Sequence, residues 1–299
     1  MNEIFSGLEK ERKSLSIYCV INNILFGISI LIAFLLRFSN GELIDNLFVP
    51  FIIFILAAIS MRFLITNKKV KAYKTGYKRQ IVEDILKNSF TDLYFDAENG
   101  MPEETIENTG MMSMGNLYNS NDYIKGRYKD ISFEQADVLI QRKGKHTYTY
   151  FKGRWMVFDF NKSFASNLLV KEKSFAHSKT NSSWFTPETE RFIKIKLEDS
   201  VFNSDFDVYT DNQHEAYYIL TPHFMQNIMK LNDVKEGELI LCFSESKLHV
   251  GIYDDTDAFE PPIYSPLDEN IVQSIKDELT VITQFVDELK LDRNLYKQN

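Results

Sequence analysis

The sequence predicts an α+β protein: an N-terminal two-helix transmembrane hairpin followed by a cytosolic domain with a mainly antiparallel sheet and packed helices. Three observations predict it. Residues 17–36 and 47–65 are apolar runs, each about as long as a helix needs to cross the hydrocarbon core. Within 122–159 and 238–253, apolar and polar residues alternate, with the β-branched and aromatic content of strands. Ile271, Ile275, Leu279, Ile282, Val286 and Leu289 then recur at helical spacing.

The first apolar run is interrupted only by Asn22, Asn23, Gly27 and Ser29. The second has one charge, Arg62, near its end, where a long side chain reaches the headgroups. A buried hairpin in a soluble core is the competing reading, and two such runs side by side argue against it. A cleaved signal peptide would need a shorter apolar region and a small-residue cleavage site. The link 38–46 holds Glu42 and Asp45 and no basic residue. Lys10, Arg12 and Lys13 precede the first run, and Lys68, Lys69, Lys71, Lys74, Lys78 and Arg79 follow the second. The positive-inside rule therefore puts both termini in the cytoplasm. The six basic residues after the second run are also the candidate membrane-surface residues, able to attract anionic lipid. Residues 1–79 form the anchor with its basic segment, and 80–299 the cytosolic domain.

In the domain, 77–95 reads as a helix leading out of the membrane and 101–114 as loop or short helix. Strands follow at 122–128, 134–142, 147–151 and 154–159, with a turn at 142–145 and a bulge or second turn at Gly153. A strand at 168–171 leads into a polar linker, 175–187. Then come a strand at 192–197, a short helix or turn at 199–205 and a strand at 206–209. Asp211 is placed to cap a helix holding Ala216, Tyr217, Ile219 and Leu220. Thr221 and Pro222 start another, with Pro at the first position, where its missing N–H costs nothing. Strands 238–243 and 247–253 form a hairpin about Ser244, Glu245 and Ser246. Ser265 to Asp268 resembles a capping box for the final helix.

Charge divides the chain. Residues 1–79 hold 11 Lys/Arg and five Asp/Glu, and 80–299 hold 23 and 37. An acidic domain disfavours nucleic-acid binding, which depends on neutralising phosphates. The two cysteines, Cys19 and Cys242, have no CxxC partner, so no zinc cluster or disulfide framework is indicated. No two of the 12 glycines are two residues apart, which removes the dinucleotide and kinase glycine loops. No G-x-S-x-G elbow occurs, and Tyr218 stands where a zincin helix after His214-Glu215 needs its second His. No cofactor or metal is indicated. The nearest approach to a ligand or catalytic cluster is Asp211, His214, Glu215 and His223, with His214 as a base oriented by an acid. The competing reading is that Asp211 caps a helix and Glu215 favours its first turn.

The stretch from Leu197 to Pro222, L-E-D-x-x-F-x-x-x-F-x-V-Y and then E-A-x-Y-I-L-T-P, resembles the hallmark of the bacterial family DUF3137, a domain of unknown function. Ile124 to Arg127, Phe151 to Gly153, Asp159 to Lys162 with Phe164, Asp257 to Pro261, and Leu289 to Leu291 also resemble that family, in order. The resemblance implies two adjacent spans ahead of the domain, in a bacterial inner membrane. Tyr217 stands where the family usually has Arg. The family has no established catalytic residues to carry over. Phe202, Phe206, Val208, Tyr218 and Leu220 read as core, so the stretch is expected to be a packing unit. The expected function is a membrane-tethered binding or scaffold module, partnered by the bilayer and by another protein or a second copy. The alternatives are a sensor of a small ligand or lipid headgroup, and an unrecognised hydrolase or transferase.

Overall fold

A computed structural model describes residues 2–38, 42–110, 112–159, 166–176, 192–234, 236–268 and 270–291. The chain divides into two units, Met1–Asp84 with Glu260–Gln273, and Ile85–Phe259 with Ser274–Asn299. The predicted linker, apart from residues 175 and 176, and the motif residues 160–164 lie outside the described residues.

The first unit is helical. α1 spans Asn2–Arg37 and α2 Glu42–Met61. Helix continues through a π turn at Arg62–Thr66, α3 (Asn67–Tyr77), a second π turn at Lys78–Val82, and α4 (Glu83–Ser89). Both apolar runs are helical, long and apolar enough to cross a membrane. α2 begins inside the stretch read as a link, at Glu42. Between the helices the buried Asn22 donates to the Ala58 carbonyl at 2.8 Å. Ser29 donates to the Leu25 carbonyl of its own helix. Neither polar side chain therefore meets an apolar surrounding with its donor unmet.

Among the described residues, the second unit is built on one nine-stranded sheet, in the order β1-β2-β3-β4-β9-β8-β5-β7-β6, with every pairing antiparallel. The strands are β1 Thr91–Asp96, β2 Leu117–Tyr128, β3 Ile131–Lys143, β4 Thr147–Asp159, β5 Leu168–Glu172, β6 Ile193–Ile195, β7 Phe206–Thr210, β8 Glu238–Ser244 and β9 Lys247–Tyr253. Short helices α5 (Glu103–Glu107), α6 (Phe202–Asp205) and α7 (Gln213–Ile219) precede the longer α8 (Pro222–Val234) and α9 (Asn270–Glu288). The α+β class with a mainly antiparallel sheet is thus observed.

Alternation sorts the side chains onto two faces. One face carries Phe133 and Phe158, the latter stacked on Phe285 of α9, and Phe243 beside Phe224 of α8. The other carries Ala136, Val138, Ile140, Phe151, Trp155 and Cys242, under Met101, Ile106 and Met112. Both faces are covered, so the central strands are buried along most of their length.

Four sequence expectations change. The exit helix stops at Ser89, and Thr91–Asp96 pairs with β2 as an edge strand. Its apolar residues fit either period, and positive φ at Asp92 turns the chain into the sheet. The two strands read at 147–151 and 154–159 are one. The irregularity falls between Ile140 and Gln141 of the register, opposite Thr149 to Phe151, and not at Gly153. Gly153 has φ +150°, and the Ile252 carbonyl oxygen occupies the place of a side chain. The α7 N-cap is Asn212, whose side chain accepts from the His214 and Glu215 amides, rather than Asp211. The last helix starts at Asn270, with Asp268 rather than Ser265 accepting its amide.

At Gly251 an added Cβ would lie 2.6 Å from Ile240 Cγ2 and 2.8 Å from Trp155 Cζ3. Gly251→Ala is expected to destabilise the protein by about 1–3 kcal/mol through overpacking. The midpoint of thermal unfolding measures it.

Candidate functional site

The motif-rich stretch folds into a knot of local hydrogen bonds. Asp199 accepts from the Val201 and Phe202 amides, at 2.9 and 3.0 Å. Asn203 clamps both the amide and the carbonyl of Leu197. Phe202 stacks on Phe206, with ring centroids 4.8 Å apart, and both are buried with Val208 and Leu220. Tyr218 is the exception among the residues read as core: it is half exposed, because α7 is a single short amphipathic helix and turns position 218 outward. Tyr217 is also exposed, and its hydroxyl accepts from Gln213.

Of the candidate ligand residues, Asp211 and Glu215 come together on one segment. Asp211 accepts from the amide and side chain of Asn167. Glu215 accepts from the amide and hydroxyl of Ser166. His214 lies exposed, its amide donating to Asn212. His223 is brought to Lys290 instead, with Nε2 2.6 Å from the ammonium nitrogen. The two acids fasten the chain entering β5 to α7.

The second unit contains a cleft of about 660 Å³ over the ends of β4 and β9, bounded by α8 and α9. Its lining is acidic: Glu236, Asp254, Asp257, Asp277 and Glu278 stand against one guanidinium, Arg154. Arg154 donates to Asp254 at 3.3 Å and to the Glu278 carbonyl at 3.4 Å. Beside the cleft, Asp122, Asp137 and Asp257 converge. Asn121 donates to both Asp122 (2.7 Å) and Asp257 (3.2 Å), and Asp137 accepts from the Ala258 amide. Burial pushes the Asp137 carboxyl well above the ordinary range, and its hydrogen bond to Asp257 and the charge of Asp122 add to this. Sequence spacing gave no sign of this group, because three strand and loop segments far apart in the chain supply it.

Cys242 is fully buried, which pushes its thiol far up. His249 is buried beside Trp155, 3.4 Å from the indole nitrogen, and burial lowers it to about 4, so it is neutral at physiological pH.

The first unit carries its own polar cluster. Glu260–Gln273 is a strap on the helices. Glu260 pairs with Lys74 and with the buried Lys78, the latter at 3.0 Å. Tyr73 donates to the Pro262 carbonyl and Arg12 to the Ile263 carbonyl, each at 2.9 Å. Glu9 accepts from Arg12 at 2.7 Å and from the Leu267 amide at 3.1 Å. The Arg12 hydrogen bond holds the Glu9 carboxyl down at about 2. Of the six candidate membrane-surface residues, Lys74 and Lys78 are therefore engaged by Glu260. Lys68, Lys69, Lys71 and Arg79 are exposed.

Residues 149–291 match the family model described as a protein of unknown function, DUF3137. Over this segment the chain is similar to the DUF3137 family. The matched segment holds the motif knot, the lining of the acidic cleft and the strap. No curated protein matches the chain. The chain is also similar to the crystal structure of the mycobacterial trehalose monomycolate transport factor A, TtfA, at 13% identity and a TM-score of 0.38, over 72% of this chain and 96% of that one.

Proposed function

We propose that the chain is a membrane-tethered binding or scaffold module, anchored by α1 and α2 with both termini in the cytoplasm. The observation that carries this reading is the exposure of large apolar side chains around both helices. Ile24, Ile30, Phe34, Val49, Ile53, Leu56 and Phe63 are each more than half exposed. A patch of this extent in water would be far larger than monomeric soluble proteins present, and a bilayer covers it. The basic residues flanking the apolar runs on one side give the orientation.

Alkaline carbonate extraction of membranes expressing the full chain tests the anchor. It is expected to leave the protein in the pellet, and release into the supernatant would overturn the reading. In-cell crosslinking of the tagged full chain, followed by mass spectrometry, tests the module. One reproducible partner supports a scaffold. Recovery of the chain alone favours the second reading, a ligand sensor, for which the 660 Å³ cleft of the second unit is the motivating observation.

A further inference from the structure

We propose that the groove between α1 and α3 binds the headgroup of an anionic phospholipid. This rests on the membrane-spanning reading of α1 and α2. The groove has a volume of about 350 Å³, with Lys10 and Ser14 on one wall, Lys69 on the other, and Leu15 and Ala72 as apolar floor.

Its height along the helices is the first argument. Lys10 to Leu15 lie two to seven residues before the first apolar run, and Lys69 to Tyr73 four to eight residues after the second. At about 1.5 Å per residue, these are depths of roughly 3–12 Å beyond the hydrocarbon. The headgroup layer is about 5–8 Å thick on each side, so Ser14, Leu15 and Lys69 lie within it and Lys10 stands just beyond its outer edge.

Charge is the second argument. Lys10 and Lys69 are exposed and form no ion pair among the described residues. The Lys69 ammonium sits 4.8 Å over the Tyr18 ring, which holds it across from α1. The groove's one acid, Glu11, sends its carboxylate to within 4.0 Å of a Cβ placed on Gly76, two helical turns further from the membrane than Lys69. The other nearby groups are engaged: Glu9 by Arg12, and the Tyr73 hydroxyl by the Pro262 carbonyl. Two ammonium groups and a hydroxyl over a short apolar floor match a phosphate diester with the start of its acyl chains.

The test uses the full chain reconstituted in vesicles of phosphatidylglycerol and phosphatidylcholine in equal parts. The protein is then extracted in mild detergent, and the lipid it retains is counted by native mass spectrometry. Wild type is expected to retain phosphatidylglycerol in preference. Lys10→Gln and Lys69→Gln should each lower that retention about fivefold, the effect of about one charge near a membrane surface. Lys13→Gln removes the same charge at the height of Lys69, outside the groove, and should retain the lipid. The Lys10→Arg, Lys69→Arg double variant keeps the charge and should also retain it. Equal retention of both lipids by wild type, or an equal loss in Lys13→Gln, overturns the site. A chain that washes off the vesicles in carbonate overturns the membrane reading and the site with it. A chain that stays embedded without lipid preference overturns the site alone.

Discussion

Asp137→Leu is expected to destabilise the protein by about 2–3 kcal/mol in mild acid, while Asp137→Asn gains on wild type progressively as pH rises above the ordinary carboxylate range. Asp137 is nearly fully buried, and its carboxyl accepts the Ala258 amide that starts the turn into the strap. Leucine removes that acceptor and leaves a buried N–H unmet, a cost of about 1–3 kcal/mol. Asparagine keeps the acceptor and offers an N–H to Asp257. The pH dependence follows from the direction of the Asp137 shift. Its folded value is raised by burial, by the hydrogen bond to Asp257 and by the charge of Asp122. An unfolded Asp loses its proton near about 3.9, so above that pH the unfolded chain binds fewer protons than the folded one. Stability therefore falls as pH rises, by about 1.4 kcal/mol per unit, until the raised folded value is passed. The facing charges do not relieve it. Lys152 is engaged by Asp255, and Arg154, opposite Asp137 in the register, by Asp254. Thermal unfolding of the full chain at pH 5 and pH 8 measures both variants. Parallel pH profiles for wild type and Asp137→Asn would sink the shared-proton account.

Much of this architecture was legible because it depends on side-chain period. The apolar runs, the strands around Val138, Trp155 and Leu241, and the last helix announce themselves by which positions are apolar. β1 was hidden because Leu93, Tyr94 and Phe95 continue an apolar pattern that helix and strand share at that length. Asp211 and Asn212 are both good caps, and only Asn167, far away in sequence, decides which is free to cap. The acidic cleft and the Asp122, Asp137 and Asp257 group need the register of β2 against β3 and β4, which no local spacing encodes. The strap was the least legible element. Two of its contacts are made by the carbonyls of Pro262 and Ile263, groups that every residue has, so composition carries no trace of them.

Glu260→Ala is expected to loosen that strap by about 2–3 kcal/mol, a larger effect than its partly exposed carboxylate would suggest. The reason lies with its partner. Lys78 is almost fully buried, while Glu260 keeps about a quarter of its side chain exposed. Removing the carboxylate leaves the Lys78 ammonium in a desolvated position without that counter-charge, and breaking such a pair costs more than the pair itself contributes. Lys78→Met removes the charge and keeps the volume, so Glu260→Gln together with Lys78→Met is expected to recover most of the loss. A second route to the same strap is acid. The Glu9 carboxyl, held low by the Arg12 hydrogen bond, contributes stability that is present above the ordinary carboxylate range near about 4.3 and lost as pH falls toward about 2. Arg12→Ala should remove this dependence along with the Ile263 contact. Hydrogen exchange of the Leu267 amide, which donates to Glu9, and of the Ile263, Tyr264, Ser265 and Asp268 amides in the full chain reads all of these. Protection should fall by roughly 30-fold or more in Glu260→Ala and return in the double variant. Unchanged protection in Glu260→Ala would mean that the carbonyl contacts of Tyr73 and Arg12 hold the strap without its ion pair.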